Sequence, residues 1–278
     1  MVYSGLSPAA ARVPNEAARF ERPNLGRAAQ RGPYAALDLG TNNCRLLVAR
    51  PTGDGFRVID AFSRVVRLGE GLSQTGSLSE AAIARTIEAL RVCRDKMASR
   101  QVSRARLIAT EACRAAQNGV DFLERVHSQL GLELEIVDRE TEASLAVAGC
   151  GELADREAES IVLFDIGGGS SEIIWLTRDG AGLGVIRSWE SLRIGVVSLA
   201  EKFGGNEVTP QVFDAMTSTV AEALQPFADR VVDQQRCDKF HLLGTSGTVT
   251  TIAGVHLNLA RYDRRAVDGL WLTSAEVD

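Results

Sequence analysis

Hydrophobic and polar positions along this chain switch period several times, and the switches predict alternating strands and helices. From Tyr34 to Val48 the chain reads YAALDLGTNNCRLLV, two apolar runs around a short polar turn, which predicts strand, turn, strand. Ser79 opens a stretch whose Ile83, Ile87, Leu90 and Met97 fall on one face, as a helix packed on a sheet requires. A strand is expected over Arg106–Ala109, then a helix capped by Asn118 that carries Phe122, Leu123 and Val126. Leu132–Val137 alternates like a strand, and Glu140–Cys150 is Ala-rich and helical. The second half begins with another strand–turn–strand, then a strand over Val185–Trp189 and helices near Val196–Phe203 and Pro210–Asp233. Pro226 is placed to kink or divide the last helix. Alternation of this kind indicates an α/β fold with layered sheets and helices.

The second strand–turn–strand holds the first candidate chemistry. Residues 162–175 read VLFDIGGGSSEIIW, with an ionisable Asp165 inside an apolar strand and three glycines directly after it. A dinucleotide fingerprint needs G-x-G-x-x-G leading into a helix, and here a β-branched strand follows instead. The segment is either a tight hairpin ending in a solvated acid, or a turn whose free N–H groups hold an anion. A repeat bears on that choice. Subtracting 127 aligns Ile161–Trp175 with Tyr34–Val48 without a gap: Asp165 falls on Asp38, Gly167 on Gly40 and Glu172 on Arg45. Duplicated halves facing each other would bring two such loops, and two carboxylates, to one cleft. A phosphate on the loops with Mg²⁺ on the acids is coherent there, because hard oxygen ligands suit that ion. A third loop, Gly244-Thr245-Ser246-Gly247-Thr248, lies between a short strand and a helix. It would offer an anion the positive end of that helix, unless Ser246 or Thr248 simply caps it.

Composition narrows the classes. A 45% hydrophobic fraction over 278 residues allows a sizeable core in one large domain or two ordinary ones. A net charge of −5 argues against bulk nucleic-acid binding, and no apolar run reaches membrane-spanning length. The five cysteines, Cys44, Cys93, Cys113, Cys150 and Cys237, have no zinc-site spacing and fit reduced thiols in a cytoplasmic protein. Residues 1–33, rich in Ala, Arg and Pro, read as a flexible tail.

Six strings occur in order: LDLGTNNCRLLVA, LIATEACRAAQNG, VDRETEASLAVAG, FDIGGGSSEIIW, SLRIGVVSL and LLGTSGTVTTIAG. Together they resemble the exopolyphosphatase/guanosine pentaphosphate phosphohydrolase (Ppx/GppA) family, over roughly Tyr34 to the end. The resemblance implies two ribonuclease-H-like domains of the actin-like and sugar-kinase superfamily around a cleft, expected at 34–146 and 147–278. It implies Mg²⁺-dependent removal of terminal phosphate from inorganic polyphosphate, or from pppGpp to give ppGpp. Carried over motif by motif, Glu142 is the catalytic glutamate, and Asp165, Asp38 and Glu172 serve the metal. The phosphate would lie on Gly40, Thr41, Asn42, Asn43, Arg45, Arg114, Gly167, Gly168, Gly169, Ser170, Ser171, Gly244, Thr245, Ser246 and Gly247. Without the resemblance Glu142 is an ordinary acid on a helix face, and the arginines could be surface ion pairs. Ser144 stands where the family often has Arg. The chain also stops at Asp278, where relatives usually continue, so the second domain is expected to be truncated. A homodimer would fit the family. The rival readings are a kinase or ATPase of the superfamily, and a (p)ppGpp sensor that binds without cleaving.

Overall fold

The computed structural model describes residues 32–53, 55–155, 157–178, 184–205, 207–232 and 239–277. The tail expected over residues 1–33 lies almost wholly outside them. The first half runs β1 (Tyr34–Leu39), β2 (Asn43–Thr52), β3 (Gly55–Val65), α1 (Leu72–Thr75), α2 (Glu80–Ser99), β4 (Arg104–Ala109), α3 (Glu111–Ala115), α4 (Gly119–Leu130) and β5 (Glu135–Ile136). Its sheet has the order β3-β2-β1-β4-β5, with β1 antiparallel to β2 and parallel to β4.

Period-2 alternation puts Leu37 and Leu39 of β1, and Leu46 and Val48 of β2, on one face of this sheet. Ile83, Ile87 and Leu90 of α2 and Phe122 and Val126 of α4 close over them. Fully burying each such side chain contributes about 1.5–3 kcal/mol. As expected, Ser79 caps α2, accepting from the Ala82 N–H at 3.2 Å. Asn118 is the N-cap residue of α4, but its side chain does not cap. Its amide instead pairs with both backbone groups of Leu78, at 2.8 and 3.0 Å, and so ties the start of α4 to the loop before α2. Only Glu135 and Ile136 of the expected Leu132–Val137 strand pair with β4.

The second half runs α5 (Arg139–Cys150), a 3₁₀ turn (Gly151–Leu153), β6 (Ser160–Ile166), β7 (Ser171–Arg178), β8 (Gly184–Leu192), α6 (Val196–Phe203), α7 (Pro210–Val232), β9 (Phe240–Thr245), α8 (Ser246–His256), α9 (Arg264–Val267) and α10 (Ser274–Val277). The helix α7 runs on through Pro226 rather than dividing there, and the expected end at Asp233 lies outside the described residues. The sheet order is β8-β7-β6-β9, again antiparallel on one side of the leading strand and parallel on the other. Asp165 is paired with Glu172 as Asp38 is with Arg45, so the repeat read from the sequence is a repeat of register. A second core forms where Ala143 and Val147 of α5 lie on Ile161 and Leu163 of β6 and Ile174 and Leu176 of β7. Cys44, Cys93, Cys113 and Cys150 are free thiols, and Cys237 lies outside the described residues.

The two halves touch through their turns. A Cβ placed on Gly168 would come within 3.1 Å of the Thr41 Cβ, and one on Gly169 within 2.8 Å of the Thr41 Oγ1. A polar latch adds to this contact. Glu201 on α6 accepts from the Gly71 N–H at 2.9 Å and from the Ser73 hydroxyl, at the start of α1. Replacing Glu201 by Ala should therefore loosen the two halves. X-ray scattering is expected to give a larger radius of gyration for the variant, and an unchanged profile would mean that the latch holds nothing closed.

Candidate active site

Each half presents its turn in the same way. The Gly40 N–H donates to the Asn43 carbonyl at 2.9 Å, and the Gly167 N–H donates to the Ser170 carbonyl at 3.0 Å. In the first turn the carbonyls of Thr41 and Asn42 are occupied by the N–H groups of Gly69, Val66 and Arg67. In the second, the carbonyls of Gly167 and Gly168 accept from Val196, Val197 and Ser198 in the first turn of α6. Among the described residues, the N–H groups of Thr41, Asn42, Gly168 and Gly169 have no backbone acceptor. A strip of backbone with its acceptors occupied and its donors free is a cradle for an anion. Gly195 permits the packing behind it: a Cβ there would lie 2.4 Å from the Gly168 carbonyl.

The third loop closes the set. Gly244 admits the Phe164 ring, which a Cβ would meet at 2.7 Å. Thr245 is the N-cap of α8 without a side-chain cap bond, and its hydroxyl accepts from the Cys150 thiol at 3.4 Å. Ser246 has φ 78°, a left-handed conformation uncommon outside Gly, and its hydroxyl favours the ionised form of Asp165. The Thr248 hydroxyl goes to the Ile166 carbonyl at 3.0 Å, so neither Ser246 nor Thr248 caps the helix. Arg45 reaches across from the first half, its Nη2 3.1 Å from where a Cβ on Gly247 would stand, with Asn43 beside it. The Ser171 hydroxyl is committed to the Ile194 carbonyl at 2.7 Å, and Ser170 is buried beside Glu172.

Four carboxylates meet at these loops. Asp38 is pushed up to about 6 by loss of water, which outweighs Arg45; the charge of Asp165 adds to the rise. Burial raises Asp165 as well, against the hydroxyl of Ser246 and the charge of Arg45. Glu172 is raised by burial, although the Ser191 hydroxyl, at 2.9 Å, stabilises its ionised form. Glu142 is pushed up to about 7 by burial and then by Glu172, with Arg114 pulling the other way. Helix α5 lies on the second core through Ala143 and Val147, and the charges of Glu172 and Asp38 both act on Glu142.

Three residues in contact with this site were not singled out from the sequence. Glu111 is buried and binds Arg114 at 2.6 and 3.0 Å. It also binds Arg139, with both of its oxygens 3.1 Å from Nη2. Ser191 holds Glu172. Arg114 is more deeply engaged than a phosphate ligand needs to be, since it also donates to the Val137 carbonyl at 2.6 Å and to Glu142 at 3.1 Å. The available signals were an acid three residues before Arg114 and an Arg three residues before Glu142, spacings that share a helix face.

Asp38, Asp165 and Glu172 supply hard oxygen donors to a pocket of excess negative charge, which fits a divalent cation such as Mg²⁺. Among the described residues no three His, Cys, Asp or Glu side chains form a ready cage. Mg²⁺ keeps several waters and needs only one or two carboxylates, so this donor set suffices for it.

Residues 47–264 match the family model described as the Ppx/GppA phosphatase family. The chain belongs to that family. A Ppx/GppA member from Aquifex aeolicus is 30% identical with a TM-score of 0.68, covering 88% of this chain and 76% of that one. An exopolyphosphatase-like protein is 29% identical with a TM-score of 0.77, over 88% of this chain and 75% of that one. An exopolyphosphatase from Cytophaga hutchinsonii, 24% identical with a TM-score of 0.74 over 81% and 70% of the two chains, shares the fold. This Ppx/GppA member therefore has the expected α/β fold, in two halves that each carry their own mixed sheet. Among its described residues no helix is long and apolar enough to cross a membrane.

Crowding these acids has a consequence for stability. Glu142 has a folded pKa above its ordinary 4.5, so the folded state binds more protons than the unfolded one between about 4.5 and about 7. Stability from this group is therefore lost as pH rises through that window. The wild-type Tm is expected to fall more steeply there than that of Glu142→Gln. Parallel curves would mean that Glu142 ionises without strain.

Proposed function

We propose that this Ppx/GppA member is a Mg²⁺-dependent phosphoanhydride hydrolase. Its substrate is the terminal phosphate of inorganic polyphosphate, or the 5′ terminal phosphate of pppGpp, released to give ppGpp. One observation carries the reading: the carboxylate of Glu142, its pKa pushed up to about 7, feels the acids Glu172 and Asp38 that border two turns with free N–H groups.

The terminal phosphoryl lies against the N–H groups of Thr41, Asn42, Gly168 and Gly169, with Arg45 reaching in from the first half. Such transfer needs little covalent help from the protein, and fixed donors that offset negative charge supply most of the catalysis. Glu142 accepts a proton from water as its oxygen bonds to phosphorus and the bridging P–O bond breaks. A base whose pKa lies near the working pH suits this step. Arg114 holds Glu142 on one side, at 3.1 Å, and so fixes where the carboxylate points. Mg²⁺, held by one or two of Asp165, Asp38 and Glu172, would supply positive charge to the phosphoryl oxygens.

Glu142→Gln is expected to lower phosphate release by about 10²–10⁴-fold, the usual worth of a positioned base, with substrate affinity nearly kept. Unchanged turnover would remove Glu142 from the chemistry. Chelation of Mg²⁺ by EDTA should stop release and added Mg²⁺ should restore it, while full activity in EDTA would exclude the ion. Steady-state rates on polyphosphate, pppGpp and ATP measured side by side assign the substrate. Preference for ATP would instead mark an ATPase or kinase, and tight (p)ppGpp binding with no turnover would mark a sensor.

A further inference from the structure

Arg139 has no part in the chemistry above, yet it stands one helical turn from Glu142. Its Nη2 donates to both oxygens of Glu111, the carboxylate that also holds Arg114. Its Nε is buried and has no hydrogen-bond partner among the described residues. A guanidinium carries Nε–H and one Nη–H side by side as a fork for two acceptor oxygens. In Arg139 the Nη2 arm is anchored and the Nε arm is empty. Leaving such a donor buried and unmade costs about 1–3 kcal/mol, and in native proteins it calls for a partner such as a ligand or a water.

The cluster's position says what that partner would be. The Glu111 Cγ is 3.5 Å from where a Cβ on Gly169 would stand, so the carboxylate that the two arginines share borders the glycine turn of the second half. The Glu111 charge is shared between the two arginines, and Arg114 is further engaged with Glu142 and the Val137 carbonyl. Arg139 is thus the member of the pair whose Nε is buried without an acceptor.

We infer that Arg139 is a specificity-determining residue that receives an oxygen of the phosphate next to the terminal one. It would thereby favour substrates with at least two linked phosphates over a lone phosphate. The inference rests on the phosphatase reading for the identity of the substrate, but its test does not depend on turnover.

The test is calorimetric titration of the full chain, in Mg²⁺ buffer, with inorganic pyrophosphate and with orthophosphate. The wild type is expected to bind pyrophosphate more tightly. Arg139→Met should weaken pyrophosphate about tenfold or more, the loss expected for one hydrogen bond to a charged group, and orthophosphate less than twofold. Arg139→Lys keeps the ion pair with Glu111 but lacks the fork, so it should retain the wild-type Tm and still lose pyrophosphate affinity severalfold. Because that variant preserves the charge, it also serves if Arg139→Met does not fold. Wild-type affinity in Arg139→Lys, equal weakening of both anions, or no pyrophosphate binding by the wild type would each overturn the inference. Failure of the phosphatase reading has a separate signature, no release of phosphate by the wild type from either polyphosphate or pppGpp.

Discussion

Four carboxylates, Asp38, Glu142, Asp165 and Glu172, are held where water is scarce and each repels another. That arrangement is unfavourable for the folded state, and two packed cores have to hold it in place. Each acid stands at the end of an element whose interior is apolar and fixed. Asp38 follows Leu37 on β1, Asp165 and Glu172 end strands anchored by Leu163 and Ile174, and Glu142 rides on a helix anchored by Ala143 and Val147. Relaxation by moving apart would pull those anchors out of their cores. The strain persists because the surrounding packing over-determines it, the usual situation of groups assembled for chemistry.

Duplication supplies the frame. Both sheets have a leading strand antiparallel to one neighbour and parallel to the other, and both put an acid at the same register position. The halves differ where the chemistry differs. The partner of Asp38 is Arg45, whereas the partner of Asp165 is Glu172, so one side of the cleft brings a cation and the other a second acid.

Much of this was legible in the sequence, because it depends on local pattern. The offset of 127 residues gave both hairpins and their acids, Ser79 announced α2, and α6 begins and ends where its pattern does. What escaped depends on tertiary partners. The strand β3 carries exposed and half-exposed residues along its length, without the clean alternation that marks a strand. Glu111, within a quoted motif, reads as an ordinary helix-start acid. Its role exists only because Arg114 and Arg139, from two different helices, converge on it. Asn118 and Thr248 have the residue types of caps but find better partners elsewhere, in Leu78 and Ile166.

The short helix α6 joins two features that otherwise look separate. Its first turn binds the carbonyls of the glycine turn, and Glu201, later in the same eight residues, grips the opposite half. A rod this short transmits displacement with little loss, so an occupant settling onto the turn and the grip across the gap share one lever. The glycine turn and the contact across the gap are thereby held by one and the same eight-residue helix.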